Sequence, residues 1–122
     1  MEERLMLMYS EGVRKGRITI NQLVKLLCTN PCRIYGLMPE KGTIQPGADA
    51  DLVMIDPDAS MQITESNMHG AGDYTAYEGT VIQGDISLVM QRGKVIVKDH
   101  KFLGEKGAGR FLHRKPYTDK VM

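Results

Sequence analysis

The sequence is short of several things, and each shortage excludes a class of protein. Its 16 Lys and Arg are nearly balanced by 15 Asp and Glu, leaving a formal charge of +1 over 122 residues. Without a long-range field of one sign, neither nucleic acid nor an anionic membrane is an expected partner. No run of about 18 apolar residues occurs, so no bilayer-spanning helix is predicted. The start, MEERLMLMYSEG, is acidic and has no small-residue cleavage site, unlike a secretory leader. Cys28 and Cys32 are the only cysteines, too few for a disulfide framework, so a reduced, cytoplasmic setting is expected. Disorder is excluded by composition, with 42% hydrophobic and 25% charged residues. The length suits one domain, able to bury roughly two-thirds of its unfolded surface.

What is present changes character along the chain. In EERLMLMYSEGV, Leu5, Met6, Met8, Tyr9 and Val13 recur at helical spacing, with Glu2 and Glu3 where a helix dipole favours acids. Thr19 or Asn21 is expected to cap a second helix with Ile20, Leu23, Val24, Leu26 and Leu27 inward. Asn30-Pro31 predicts a third, short helix ending at Gly36. Beyond Pro39 the apolar period falls to two. Gln45-Pro46-Gly47 reads as a turn. Leu52–Ile55 reads as a buried strand stopped by Asp56-Pro57, with another over Met61–Thr64. After a polar loop over 65–79, an antiparallel meander is expected from strands at Gly79–Gly84, Ile86–Met90 and Lys94–Val97. Phe102-Leu103 follows a turn at Asp99-His100-Lys101. The segment from Gly104 onward reads as a Gly-rich, basic tail. So few short strands leave edges and one face uncovered, which predicts extensive oligomerisation or a piece of something larger.

The residues that could carry chemistry do not assemble into a motif. Asp49, Asp51, Asp56 and Asp58 crowd one stretch, but a calcium loop needs a glycine turn and a distant Glu that are missing here. Asp49 and Asp51 are therefore expected to bond local backbone amides ahead of a strand, and Asp56-Pro57-Asp58 to form the turn that leaves it. His69, His100 and His113 lack metal-site spacing; His69 with Asp73 is the one suggestive pair. Cys28 and Cys32 have no second pair to complete a zinc site and are expected as buried thiols. Gly104–Gly109 lacks the continuation of a phosphate loop and reads as a linker or clamp. Met6, Met8, Met54 and Met90 are expected in the core, and Arg14, Lys15 and Arg17 in solvent.

Four stretches nevertheless resemble one family in order: EERL near the start, TNPCRIYGLMPEKGTIQPGADADLVMIDPD, YEGTVIQGDISLVMQRGKVIVKD, and GAGRFL. The family is the hydantoinase and dihydropyrimidinase branch of the amidohydrolases, and the likeness runs from Glu2 to about Tyr117. The fold it implies is an α/β parent, a (β/α)8 barrel plus a small β-sandwich. This chain would hold its terminal barrel helices (1–40), antiparallel β-sandwich strands (41–103) and an oligomerisation tail (104–122). Asp49 and Asp51 would shape the turn into the sandwich.

The implied parent is a cyclic amidase. It opens hydantoins or dihydropyrimidines to N-carbamoyl amino acids by hydroxide bound to two divalent metals, usually zinc. All the family's metal and catalytic ligands lie upstream of the positions matched here, and a barrel needs about 200 residues. The resemblance therefore carries no catalytic, cofactor-binding or metal residue onto this sequence, and the 122 residues alone are expected to be inactive. Implied partners are the remainder of the chain, further copies in a tetramer and a small cyclic amide. Two alternatives accompany this reading: a non-catalytic scaffold of the same fold, and an allantoinase or dihydroorotase relative, which the YEG stretch and GAGRF tail fit less well. Alone, the chain is expected to expose Leu5, Met8, Leu23, Leu26 and Leu27 and to self-associate.

Overall fold

The computed structural model describes residues 2–116. Its ordered elements are α1 (Glu3–Leu7), α2 (Ile20–Val24), α3 (Asn30–Ile34) and four strands: β1 (Leu52–Gln62), β2 (Val81–Gln91), β3 (Lys94–Lys98) and β4 (Lys101–Phe102). The strands lie in the order β1-β2-β3-β4. The chain divides into two compact units, one of Met1–Leu23 with Ile55–Ile86, the other of Val24–Met54 with Ser87–Met122.

In the first unit, α1 widens into a π-helical stretch over Met8–Arg14. One edge of this helix faces the sheet. Met6 clusters with Ile63 and Ile82, flanked by Leu7, Met61, Met68 and Ile86. Two further contacts fix its height: the buried Ser10 hydroxyl accepts from the Gln83 amide at 3.0 Å, and the Tyr9 ring lies over Gly84. Of the two expected caps, Thr19 and Asn21, the second helix uses Thr19. Thr19 Oγ1 accepts from the Gln22 amide while Gln22 Oε1 accepts from the Thr19 amide, a reciprocal capping box.

In the second unit, the expected third helix is not separate. Asn30 has helical angles and no capping role; α2 continues through a π-helical stretch, Lys25–Thr29, directly into α3. The cause is Pro31. It has no amide to donate and its ring crowds the carbonyl four residues back, so a wider turn just before it lets the helix continue. Gly36 ends the helix, as expected. Its φ is 67°, the Leu37 amide reaches Cys32 O at 2.7 Å and the Gly36 amide reaches Arg33 O at 3.2 Å. Gln45-Pro46-Gly47 is a turn closed by the Ala48 amide on Gln45 O at 3.1 Å.

The strands are fewer and longer than the sequence predicts. Asp56-Pro57 does not stop β1, which runs on to Gln62. β1 is an edge strand, where a residue without an amide costs no ladder bond. The same edge position leaves Val53 and Met54 46% and 57% exposed, against the expected buried run and core methionine. Met8 and Met90 are half-buried; Met6 alone of the four is in the core. Nor does Gly84 break the next strand: β2 passes through it with φ 93°. The β2–β3 and β3–β4 hairpins are antiparallel. They turn at Arg92-Gly93 (φ 47° and 79°) and Asp99-His100 (φ 49° and 60°), the positive pairs that suit tight hairpins.

The core is small. Among the described residues the buried apolar side chains are Met6, Tyr9, Leu23, Ile63 and Ile82. Of the residues expected on the inward face of the second helix, Leu23 is buried and Leu27 half-buried, whereas Ile20, Val24 and Leu26 are exposed; of those expected to be exposed in the chain alone, Leu26 is, Leu5, Met8 and Leu27 are half-buried and Leu23 is not.

Candidate functional site

The aspartate-rich stretch forms an ion network inside the second unit, built on two backbone anchors. The Asp49 amide donates to Glu40 O at 2.9 Å, and the Gly93 amide donates to Ala50 O at 3.0 Å. These hold Lys41 and Arg92 against the two carboxylates. Lys41 Nζ lies 2.7 Å from Asp49 Oδ2 and also bonds Asp51 Oδ2. Asp51 Oδ1 accepts from the Arg92 amide at 2.8 Å. Arg110, from the tail, adds its guanidinium to Asp49 Oδ2 at 2.7 Å and to Glu40 Oε1 at 3.2 Å. The Arg92 guanidinium donates to Ala108 O.

The partners of the aspartates therefore differ from the expectation. Neither carboxylate caps a local amide. Asp51 takes an amide 41 positions away, and Asp49 takes two cations. The sequence reading missed Lys41, Arg92 and Arg110. Their signal was present as opposite charge inside the same quoted stretches.

Electrostatics follow from this geometry. Lys41 and Asp49 side chains are only 12% and 19% exposed. Burial pulls the Lys41 ammonium down, but the hydrogen bonds it donates to Asp49 and Asp51, together with their charges, outweigh it and hold its pKa above the usual lysine value. The Lys41 hydrogen bond, aided by the charges of Lys41 and Arg110, outweighs burial and holds Asp49 below the usual carboxylate range. Paired cations and anions of this kind lock a turn and a tail.

The first unit carries a recess of about 390 Å³ lined by Glu2, Glu3, Glu65, His69, Tyr74 and Thr75 among others. His69 is brought to Glu2: its amide donates to Oε2 at 2.9 Å, and Nδ1 lies 2.8 Å from Oε1. Thr75 donates its hydroxyl to Glu3 Oε1 at 3.1 Å. These bonds tie the long β1–β2 connection to the start of α1.

The remaining candidates are placed as follows. Asp56 Oδ1 accepts from the Asp58 amide at 3.0 Å within β1, a local turn-like bond inside a strand. Cys28 is exposed and Cys32 half-buried, both free thiols, so the expected burial fails for Cys28. The Cys32 thiol is pushed up by burial and then by Cys28. Arg14, Lys15 and Arg17 are exposed, as expected. Within Gly104–Gly109, the Ala108 carbonyl accepts from the Arg92 guanidinium. Among the described residues no three His, Cys, Asp or Glu side chains stand close enough to hold a metal ion. Among them, too, no helix is long and apolar enough to cross a membrane.

Comparison with known proteins completes the picture. Residues 1–96 match the model of the Amidohydrolase family. The chain is 47% identical over 117 residues to a D-hydantoinase of Ralstonia pickettii, covering 96% of this chain and 25% of that one. It is 43% identical over 122 residues to a D-phenylhydantoinase of Escherichia coli O1:K1 / APEC, covering 100% of this chain and 26% of that one. Among solved structures, a dihydropyrimidinase from Brevibacillus agri superposes with a TM-score of 0.93 at 39% identity, over 96% of this chain and 25% of that one. The chain thus spans about a quarter of the length of the relatives it matches.

Proposed function

This chain belongs to the amidohydrolase family, and from that premise we propose that it is the C-terminal part of a D-hydantoinase- or dihydropyrimidinase-type hydrolase. The observation that carries the reading is identity of 47% sustained over 96% of the chain with a protein named for that activity. In this reading residues 1–40 are the last helices of a barrel, 41–103 are part of a β-sandwich and 104–122 are an oligomerisation tail. Residues 117–122 of that tail lie outside the described residues. The parent opens hydantoins or dihydropyrimidines to N-carbamoyl amino acids, as a cytoplasmic tetramer with two divalent metals, usually zinc.

Among the described residues no three His, Cys, Asp or Glu side chains stand close enough to hold a metal ion. In this reading the metal ligands and the catalytic groups belong to the part of the protein outside this chain. What this chain supplies is support: the Lys41–Asp49–Arg110 network docks the tail, and the Glu2–His69 and Glu3–Thr75 bonds hold the start of α1. The small buried set fits a piece whose apolar faces are covered by the rest of a larger body.

The test is a chimera in which this chain replaces the aligned quarter of the Ralstonia pickettii D-hydantoinase. The chimera is expected to open hydantoin, and to lose that activity when a chelator removes its metal. A folded, metal-loaded chimera without ring-opening activity contradicts the proposal.

A further inference from the structure

The two glutamates that open α1 receive three hydrogen bonds from one loop, the 65–79 connection between β1 and β2. His69 supplies two of them to Glu2. Its amide donates to Oε2 at 2.9 Å, and its Nδ1 stands 2.8 Å from Oε1. An ionised carboxylate only accepts, so Nδ1 carries the proton of that bond. Glu3 Oε1 accepts from the Thr75 hydroxyl at 3.1 Å, and the same hydroxyl accepts from the Tyr77 amide at 3.2 Å. The partners lie 67 and 72 positions apart in sequence.

The loop itself is closed at its base. The Ile63 amide donates to Thr80 O at 2.9 Å and the Gly79 amide to Ile63 O at 2.8 Å. Thr64 and Asn67 form a capping box around the first turn, and the Glu65 amide donates to Glu78 Oε2 at 2.8 Å. A loop whose ends meet in this way is compact rather than splayed. Between it and the helix start lies the recess of about 390 Å³. At this end the three bonds, rather than close packing, set the spacing of loop and helix.

Stability is a poor account of these ties. The His69 and Glu2 side chains are 43% and 41% exposed, and exposed ion pairs add little to folding stability. Position is a better account. In a (β/α)8 barrel every helix follows a strand, so the chain entering a barrel helix comes from the face that carries the active site. Resting on the hydrolase reading and its barrel, α1 is such a helix, and Glu2 and Glu3 stand where the loop from that face enters it. We propose that His69 and Thr75 are positioning residues for the ring-opening site: through Glu2 and Glu3 they fix the segment that leads from the catalytic face into α1. A misplacement of about 1 Å can cost about 100-fold in rate, so bonds that stabilise little can weigh heavily on activity.

The test uses the metal-loaded chimera with the Ralstonia pickettii D-hydantoinase, with hydantoin-opening kinetics, thermal melting and metal content measured for each variant. His69→Ala is expected to lower kcat/KM about tenfold or more while Tm and metal content hold. His69→Asn, whose side-chain amide can donate in place of Nδ1, should restore most of the loss. Glu2→Gln, which turns one acceptor oxygen into a donor, should lose activity to the same order. Lys15→Ala, which breaks an exposed pair with Glu11 further along the chain, should change neither activity nor Tm. An unsubstituted chimera that folds, holds metal and opens no hydantoin would refute the hydrolase reading and the positioning role with it. In an active chimera, variants that keep kcat/KM, that lose it only in step with Tm, or that Asn does not rescue would overturn the positioning role alone.

Discussion

At the scale of single residues, two glycines with similar backbone show how packing separates cases that conformation alone would equate. Gly84 and Gly93 have φ of 93° and 79°. A Cβ on Gly93 meets nothing within 4 Å, whereas one on Gly84 meets the Tyr9 ring, with Cδ1 2.8 Å away. Gly93→Ala should therefore cost only left-handed strain, about 1–2 kcal/mol. Gly84→Ala should cost more, because it adds overpacking of typically about 1–3 kcal/mol. Denaturant titration of the two variants checks the order, and equal losses would contradict it. The ion network makes a second residue-scale prediction, for pH. Asp49 has a depressed pKa, so its contribution is present above the usual value of 3.8 and is lost as pH falls through its folded value. Lys41 has a raised pKa, so its contribution is present below 10.5 and is lost only as pH climbs past that value. Arg110 should thus stay docked across neutral pH and release on the acid side, read from its guanidinium signals in NMR. Lys41→Met removes the largest cause of the Asp49 shift and should move its carboxyl titration upward. An unmoved titration would show that Lys41 is not what holds it.

At the scale of elements, the sequence was most legible where local chemistry is self-contained. The capping box at Thr19 and Gln22, the helix stop at Gly36, the Pro46-Gly47 turn and the Arg92-Gly93 hairpin each need only neighbouring residues. Misreadings arose where a neighbour overrides a local rule. Pro57 stops a central strand but not an edge strand, Pro31 is absorbed by a wider helical turn, and Gly84 stays in register because Tyr9 needs its open face. The partners of Asp49 and Asp51 were hidden for the same reason, since Arg92 and Arg110 come from 41 and 61 positions away. A catalytic site was not legible in the residues, and the family likeness came from long motifs instead. The capping box supplies the element-scale prediction. Thr19→Ala should lower stability by about 1 kcal/mol, measured by denaturant titration, and Thr19→Ser should restore most of it. No loss in Thr19→Ala would mean that packing of Leu23 alone sets the helix start.

At the scale of the whole molecule, the telling feature is how much apolar surface the described residues leave open. Ile44 is 87% exposed and Phe111 82%, and Ile34, Tyr35, Phe102 and Leu103 are exposed as well. Among the described residues, five buried apolar side chains are few, whereas a lone domain of about this size normally closes a continuous core. Open faces on both helix and sheet suit elements that pack against a larger body. The relatives are about four times longer than the stretch they share with this chain, which suits the same reading. The most direct test is to incubate the purified 122-residue chain with zinc and hydantoin and follow ring opening. The account predicts no N-carbamoyl product. Hydantoin opened by this chain unaided would place the catalytic centre within these residues and contradict it.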